Sequence, residues 1–170
     1  MKTKTIYIIM CMLVTFVTGC SISYKLNASN IDYTKIHSIE LKDFPIRSSY
    51  VWAPMGPMFN NTLRDRFADR TKLELVRRNG DLKLEGEITN YTQRNKSVSA
   101  DGFSAQTELA ITVHARFTNK TNHKEDFDQT FTATSTYPTT SSLSSVQEEL
   151  VDQMTKDLVD QIFKACVAQW

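Results

Sequence analysis

Three stretches in the middle of this 170-residue chain alternate apolar and polar residues with a period of two, and that pattern restricts the fold more than any other feature. In the first, Leu82, Leu84, Gly86 and Ile88 fall on one side, with Lys83, Glu85, Glu87 and Thr89 on the other. The second sets Thr107, Leu109, Ile111, Val113, Ala115 and Phe117 against Gln106, Glu108, Thr112, His114 and Arg116. After a turn in residues 119–123, Phe127, Phe131, Ala133 and Tyr137 face one way and Asp128, Thr130, Thr132 and Thr134 the other. Successive side chains of a strand point to opposite faces, so the pattern predicts a sheet with one apolar face and one polar face.

The apolar face needs a cover, and two amphipathic helices supply it. Phe59, Leu63, Phe67 and Arg70 share one face of a helix expected to begin near Pro57, since proline is tolerated in a first turn. Val146, Leu150, Met154, Leu158, Ile162 and Cys166 form the stripe of a long last helix, widened by Val151, Val159 and Phe163. Ser145 and Glu148 have capping-box spacing at its start. Two shorter strands are expected, one over residues 35–44 ended by Pro45, the other over residues 73–76 with a turn at Asn79-Gly80. Residues 46–58, broken by Pro54, Gly56 and Pro57, form an apolar loop that covers the start of the next helix or touches a partner. The expected fold is α+β, a two-layer sandwich. Its mostly antiparallel sheet of four to five strands carries two helices on one face, in the order β-α-β-β-β-β-α.

The beginning of the chain carries an address. Lys2 and Lys4 precede an apolar block over residues 6–17, which closes on Val17-Thr18-Gly19-Cys20. A basic start, a short apolar run and small residues mark a secretory signal peptide, and the run is too short to span a bilayer. The ending is similar to a lipobox, which implies diacylglycerol on the Cys20 thiol, cleavage after Gly19, and acylation of the new amine. Three acyl chains exceed what stable anchoring requires. Residues 1–19 are thus read as the signal, 20–34 as a lipidated tether and 35–170 as one periplasmic domain. No acidic residue appears between Cys20 and Asp32, and Ser21 follows the cysteine, which points to an outer-membrane anchor facing the periplasm.

Without residues 1–19 the chain has 18 Lys+Arg against 19 Asp+Glu, so bulk charge gives no hold on nucleic acid. Cys11 leaves with the signal and Cys20 is lipidated. Cys166 alone remains, excluding an internal disulfide and a cysteine-based metal cluster, and its helical spacing makes it a small core residue. Gly102-Phe103-Ser104-Ala105-Gln106 approaches a nucleophile elbow but ends in glutamine and opens a strand, not a helix. His37, His114 and His123 lack the local spacing of metal motifs, and no glycine-rich phosphate loop is present. No enzyme, cofactor or metal site is expected. The basic residues Arg77, Arg78, Arg94, Lys96, Lys120 and Lys124 sit at strand ends and turns, where they are either solvated or available to an anionic lipid headgroup.

With these features in place, the chain resembles the LPS-assembly lipoproteins of the LptE type. The resemblance rests on the lipobox, on Thr62-Leu63-Arg64-Asp65-Arg66-Phe67 leading to Thr71-Lys72-Leu73-Glu74-Leu75-Val76, and on the run from Gly80 to Ile88. It continues through Leu109-Ala110-Ile111-Thr112-Val113 to the ending Val167-Ala168-Gln169-Trp170. It implies a non-enzymatic outer-membrane lipoprotein that pairs with a large β-barrel, the LptD-like LPS translocon, sits inside its lumen as a plug, assists its assembly and contacts lipopolysaccharide. Barrel interiors are polar, so the polar sheet face is the expected contact, through Glu85, Glu87, Gln106, Glu108, Thr112, His114, Thr130 and Thr132. Better-known members carry a basic residue just after an Asp-Gly turn. Here Phe103 follows Asp101-Gly102, and the nearby Arg94 and Lys96 are the expected substitutes for lipid contact. The run from Leu75 to Gly86 also resembles lipoproteins that activate cell-wall synthases or build secretion channels, which leaves a periplasmic scaffold of that kind as the alternative.

Overall fold

A computed structural model describes residues 31–50, 52–98 and 104–167. The lipobox, Cys20, most of the tether, the Asp101-Gly102-Phe103 segment and the last three residues lie outside the described residues. Five strands and two α-helices follow in the order β1 (Ser38–Leu41), α1 (Met55–Arg70), β2 (Glu74–Val76), β3 (Leu82–Val98), β4 (Ser104–Asn119), β5 (Phe127–Pro138) and α2 (Leu143–Val167). The strands form one sheet in the order β2-β1-β3-β4-β5. The expected α+β sandwich is the observed one.

Alternation builds the apolar layer. Leu82, Leu84, Ile88, Leu109, Ile111, Val113, Ala115 and Phe117 are buried from the two central strands. Met55, Phe59, Leu63 and Phe67 from α1 and Val151, Met154, Leu158, Val159 and Ile162 from α2 close over them. The rings of Phe67 and Phe163 meet edge to face at 5.1 Å, and Arg66 of α1 pairs with Asp160 of α2. Residue 155 interrupts this layer. Thr155 is fully buried on α2, and its hydroxyl has no partner among the described residues. Thr155→Val keeps the shape and removes an unsatisfied polar atom, so it should stabilise the fold by about 1 kcal/mol. Thermal unfolding should show a rise of about 3 °C.

Several local expectations are corrected. Helix α1 begins at Met55 and holds Pro57 in its first turn, as expected, but Arg70 at its end is exposed and leaves the face of Phe59, Leu63 and Phe67. Helix α2 begins at Leu143, so Ser145 is already inside it and donates its hydroxyl back to the Ser142 carbonyl at 2.7 Å; it is not the capping residue. The first strand is only Ser38–Leu41, but residues 45–47 continue its track: the Arg47 N–H donates to Ile88 O at 2.8 Å and the Ile88 N–H to Pro45 O at 2.9 Å. Strand β3 runs well past Thr89. A bulge between Ile88 and Asn90 inserts one residue, after which Tyr91 is the inward side chain and the alternation resumes in the opposite phase. The apolar loop packs Ile46 and Trp52 against the core, joined there by Met58 of α1, and stacks the exposed Tyr50 on Tyr91 at 5.2 Å.

The turn at Asn79-Gly80 does not close a hairpin. Strand β1 lies between β2 and β3 and pairs parallel with both. Parallel neighbours need a crossover, which α1 supplies between β1 and β2. Residues 77–81 then cross the polar side of β1 to reach β3, with Asn79 in the left-handed region at φ 60°.

Candidate functional site: the polar sheet face

Every barrel-contact residue predicted from the sequence lies on the sheet face opposite the helices, because β4 and β5 stay in register throughout and β3 keeps register with β4 up to its bulge at Thr89. Glu85 stands opposite Arg116, which stands opposite Asp128; Glu87 stands opposite His114, which stands opposite Thr130. Thr112 stands opposite Thr132, their hydroxyls 3.2 Å apart. Glu108 stands opposite Arg94, and Gln106 is exposed at the far end of β4.

Charges of opposite sign alternate on this face. Lys42 pairs with Glu40 at 2.8 Å, Lys83 with Glu85 at 2.6 Å and Arg47 with Glu87 at 3.9 Å. Arg116 Nε donates to Asp128 at 2.9 Å, and His114 meets the other oxygen of the same carboxylate. These two partners, Arg116 first, hold the Asp128 carboxyl below the usual carboxylate range. Lys42, Glu85, Glu87, His114 and Arg116 surround an open dish of about 320 Å³. Exposed pairs of this kind contribute little to stability, which leaves them available for exchange with a partner's groups.

The two residues predicted for lipid contact are joined by an acid. Arg94 Nε donates to Glu108 at 2.6 Å, and Lys96 Nζ lies 3.4 Å from its second oxygen. Glu108 is only 6 % exposed beneath them, and Arg94 leads in depressing its pKa. Glu108 is therefore a poor direct contact for a partner. Its carboxylate holds two exposed cations side by side and leaves one unit of positive charge at that end of the face. Sequence reasoning missed this because β3 was not expected to reach Arg94. It also gave no partner role to Lys83, Arg116 or Asp128, whose strand parity places them on the same face.

Elsewhere the chemistry is sparse. His37 and His123 are exposed and lie away from His114, and His123 Nδ1 sits 2.9 Å from Asp126. Among the described residues no group of three or more His, Cys, Asp or Glu is placed to hold a metal ion. Cys166 lines a cleft of about 280 Å³ with Ile31, Ile36, Leu82, Phe117 and Val167, and burial pushes its thiol well above the ordinary cysteine range, away from the reactive thiolate. No helix among the described residues is long and apolar enough to cross a membrane.

The domain is a two-layer α+β sandwich in which residues 77–81 cross the polar face at β1, while its β3, β4 and β5 part carries no helix among the described residues and holds charged groups largely paired with one another. The family model for LptE, lipopolysaccharide-assembly, matches residues 36–165, and the chain belongs to that lipoprotein family. Solved structures share the fold. Rare lipoprotein B from Shewanella oneidensis aligns with a TM-score of 0.55 at 16 % identity, covering 78 % of this chain and 95 % of that one. A lipoprotein B from Nitrosomonas europaea aligns with a TM-score of 0.53 at 19 % identity over 78 % and 83 % of the two chains. A minor lipoprotein from Acinetobacter baumannii gives 0.52 at 20 % identity over 79 % and 93 %. No curated protein matches the sequence.

Proposed function

We propose that this LPS-assembly lipoprotein is anchored through Cys20 at the periplasmic side of the outer membrane, where it pairs with the LPS-translocon β-barrel, plugs its lumen and assists its assembly. The observation that carries the reading is the polar sheet face: an aqueous barrel lumen is lined with polar groups, and a plug must meet them with polar groups of its own. Glu85, Glu87, Thr112, His114, Thr130 and Thr132 offer both signs of charge and hydroxyls that act as donors or acceptors. Gln106 extends the contact along β4. Arg94 and Lys96, held together by Glu108, are the groups for a lipopolysaccharide phosphate, which charge-assisted hydrogen bonds from two adjacent cations would bind.

The test has two arms. Cys20→Ala should abolish labelling by a palmitate analogue and release the chain from washed membranes; retained label would overturn the anchor. Glu87→Lys combined with Thr112→Lys should lower the barrel recovered with the chain from solubilised membranes about tenfold or more, through like-charge contacts, while leaving circular dichroism unchanged. Undiminished recovery would show that this face is not the contact.

A further inference from the structure

Strand β5 is the outermost strand beyond β4, paired with it from Gln106–Pro138 to Phe117–Phe127 without a break in register. Two contacts show which of its backbone groups turn outward. The Thr112 carbonyl accepts the Thr89 hydroxyl at 3.2 Å, so the backbone groups of Thr112 point toward β3, and its opposite number Thr132 is not exchanging bonds with it. The Thr132 carbonyl instead accepts Gln161 Nε2 at 3.5 Å, from α2. Outward and inward residues alternate along an antiparallel ladder. Asp128, Thr130, Thr132, Thr134 and Thr136 therefore aim N–H and C=O away from β4. Among the described residues, no strand pairs with them.

Edge strands are ordinarily blunted by lysine, proline, bulges or shortness, because unpaired backbone groups recruit other strands. Strand β5 is twelve residues long, has no bulge against β4, and holds no lysine, no arginine and no proline before Pro138. We infer that β5 receives an extended segment of a partner protein as a sixth strand of the sheet, by main-chain pairing to its even-numbered residues. The partner's identity as the translocon barrel rests on the function proposed above; the edge itself does not. The flanking side chains describe the segment. Exposed Thr130, Thr132 and Thr134 call for small polar or β-branched residues on the polar side. On the helix side stand Gln161 and Asp157, and among the described residues Asp157 is bonded to Gln161 alone, so a lysine or arginine belongs there.

Parity makes the inference testable by amide hydrogen exchange of the chain alone and of the chain extracted with its partners from native membranes. Alone, the amides of Thr130, Thr132 and Thr134 should exchange fast and those of Phe131, Ala133 and Ser135 slowly. In the extract, the even-numbered amides should slow by about a hundredfold. Thr132→Pro removes an outward N–H and spares the β4 ladder, so the chain should stay folded and lose its partner. Thr132→Lys with Thr134→Lys should do the same without touching the backbone. The inference is overturned if the even-numbered amides exchange equally fast in the extract, or if both folded variants retain the partner. If the extract holds no barrel, the proposed function fails, and protection of the even-numbered amides still decides the edge.

Discussion

Replacing Gly86 with alanine is expected to destabilise the fold by about 3 kcal/mol, near the upper end for overpacking. Gly86 occupies an inward position of β3 between Leu84 and Ile88, where the alternation calls for an apolar side chain. A Cβ built there would lie 2.2 Å from the His114 carbonyl oxygen and 2.4 Å from the Phe44 ring. The first neighbour is backbone of β4 and cannot swing away. The second is a ring only 1 % exposed, set 5.3 Å from Phe59 and fixed by Asn60, whose side-chain oxygen accepts the Phe44 N–H at 2.8 Å. Gly56 is the control. A Cβ there meets only Ile46 at 3.7 Å, in the first turn of α1. Gly56→Ala should raise stability by about 0.5 kcal/mol through helix propensity and a less flexible unfolded chain. Urea unfolding of both variants reads the contrast, and equal effects would mean that the Phe44 packing does not constrain β3.

Gly86 also shows what is legible in a sequence like this. Its parity could be read, because long strands with one buried face impose a period of two on every residue. The same holds for Leu109 through Phe117, and for the α2 stripe from Val151 to Ile162 at the helical period. Where the alternation breaks, reading stops: the bulge at Thr89 displaced Tyr91 by one position and concealed the second half of β3. Arg94, Lys96 and Glu108 were consequently visible as charges but not as one cluster. Pairing order was equally hidden. Residues 73–76 and 82–89 are separated by Asn79-Gly80, whose local signal is that of a hairpin, yet β1 inserts between the two strands from about forty residues upstream. A turn signal records local backbone preference. It carries nothing about which distant strand is buried beside it.

That crossing carries the last prediction. Asp81→Ala should cost about 3 kcal/mol, because one carboxylate oxygen holds β1 in place from the crossing segment. Asp81 Oδ2 accepts the His37 N–H at 2.9 Å, the Ser38 N–H at 3.0 Å and the Ser38 hydroxyl at 2.9 Å. In return the Asp81 N–H donates to Ser38 Oγ at 3.1 Å, and the Lys120 N–H reaches the Asp81 carbonyl at 3.0 Å. At this half-exposed site each of the three lost hydrogen bonds is counted at about 1 kcal/mol. No rearrangement restores the contacts, since Gly80 already lies so close to β1 that a Cβ would stand 2.5 Å from the Glu40 nitrogen. The same donors, His37 N–H first and the Ser38 hydroxyl next, hold the Asp81 carboxyl below its ordinary value. A carboxyl with a depressed folded pKa contributes stability that is fully present above its unfolded value of about 4 and is lost as pH falls through the folded value. Wild type should therefore weaken on acidification below about pH 4. Asp81→Asn keeps one acceptor but no charge, so it should be less stable than wild type by about 1 kcal/mol at neutral pH. Its stability should also fall less steeply with acid, because the titrating group is gone. Urea midpoints of the three chains across that pH range test both statements, and an undiminished acid slope in Asp81→Asn would assign the dependence to the other depressed carboxyls, Asp32, Glu40, Glu108 and Asp128.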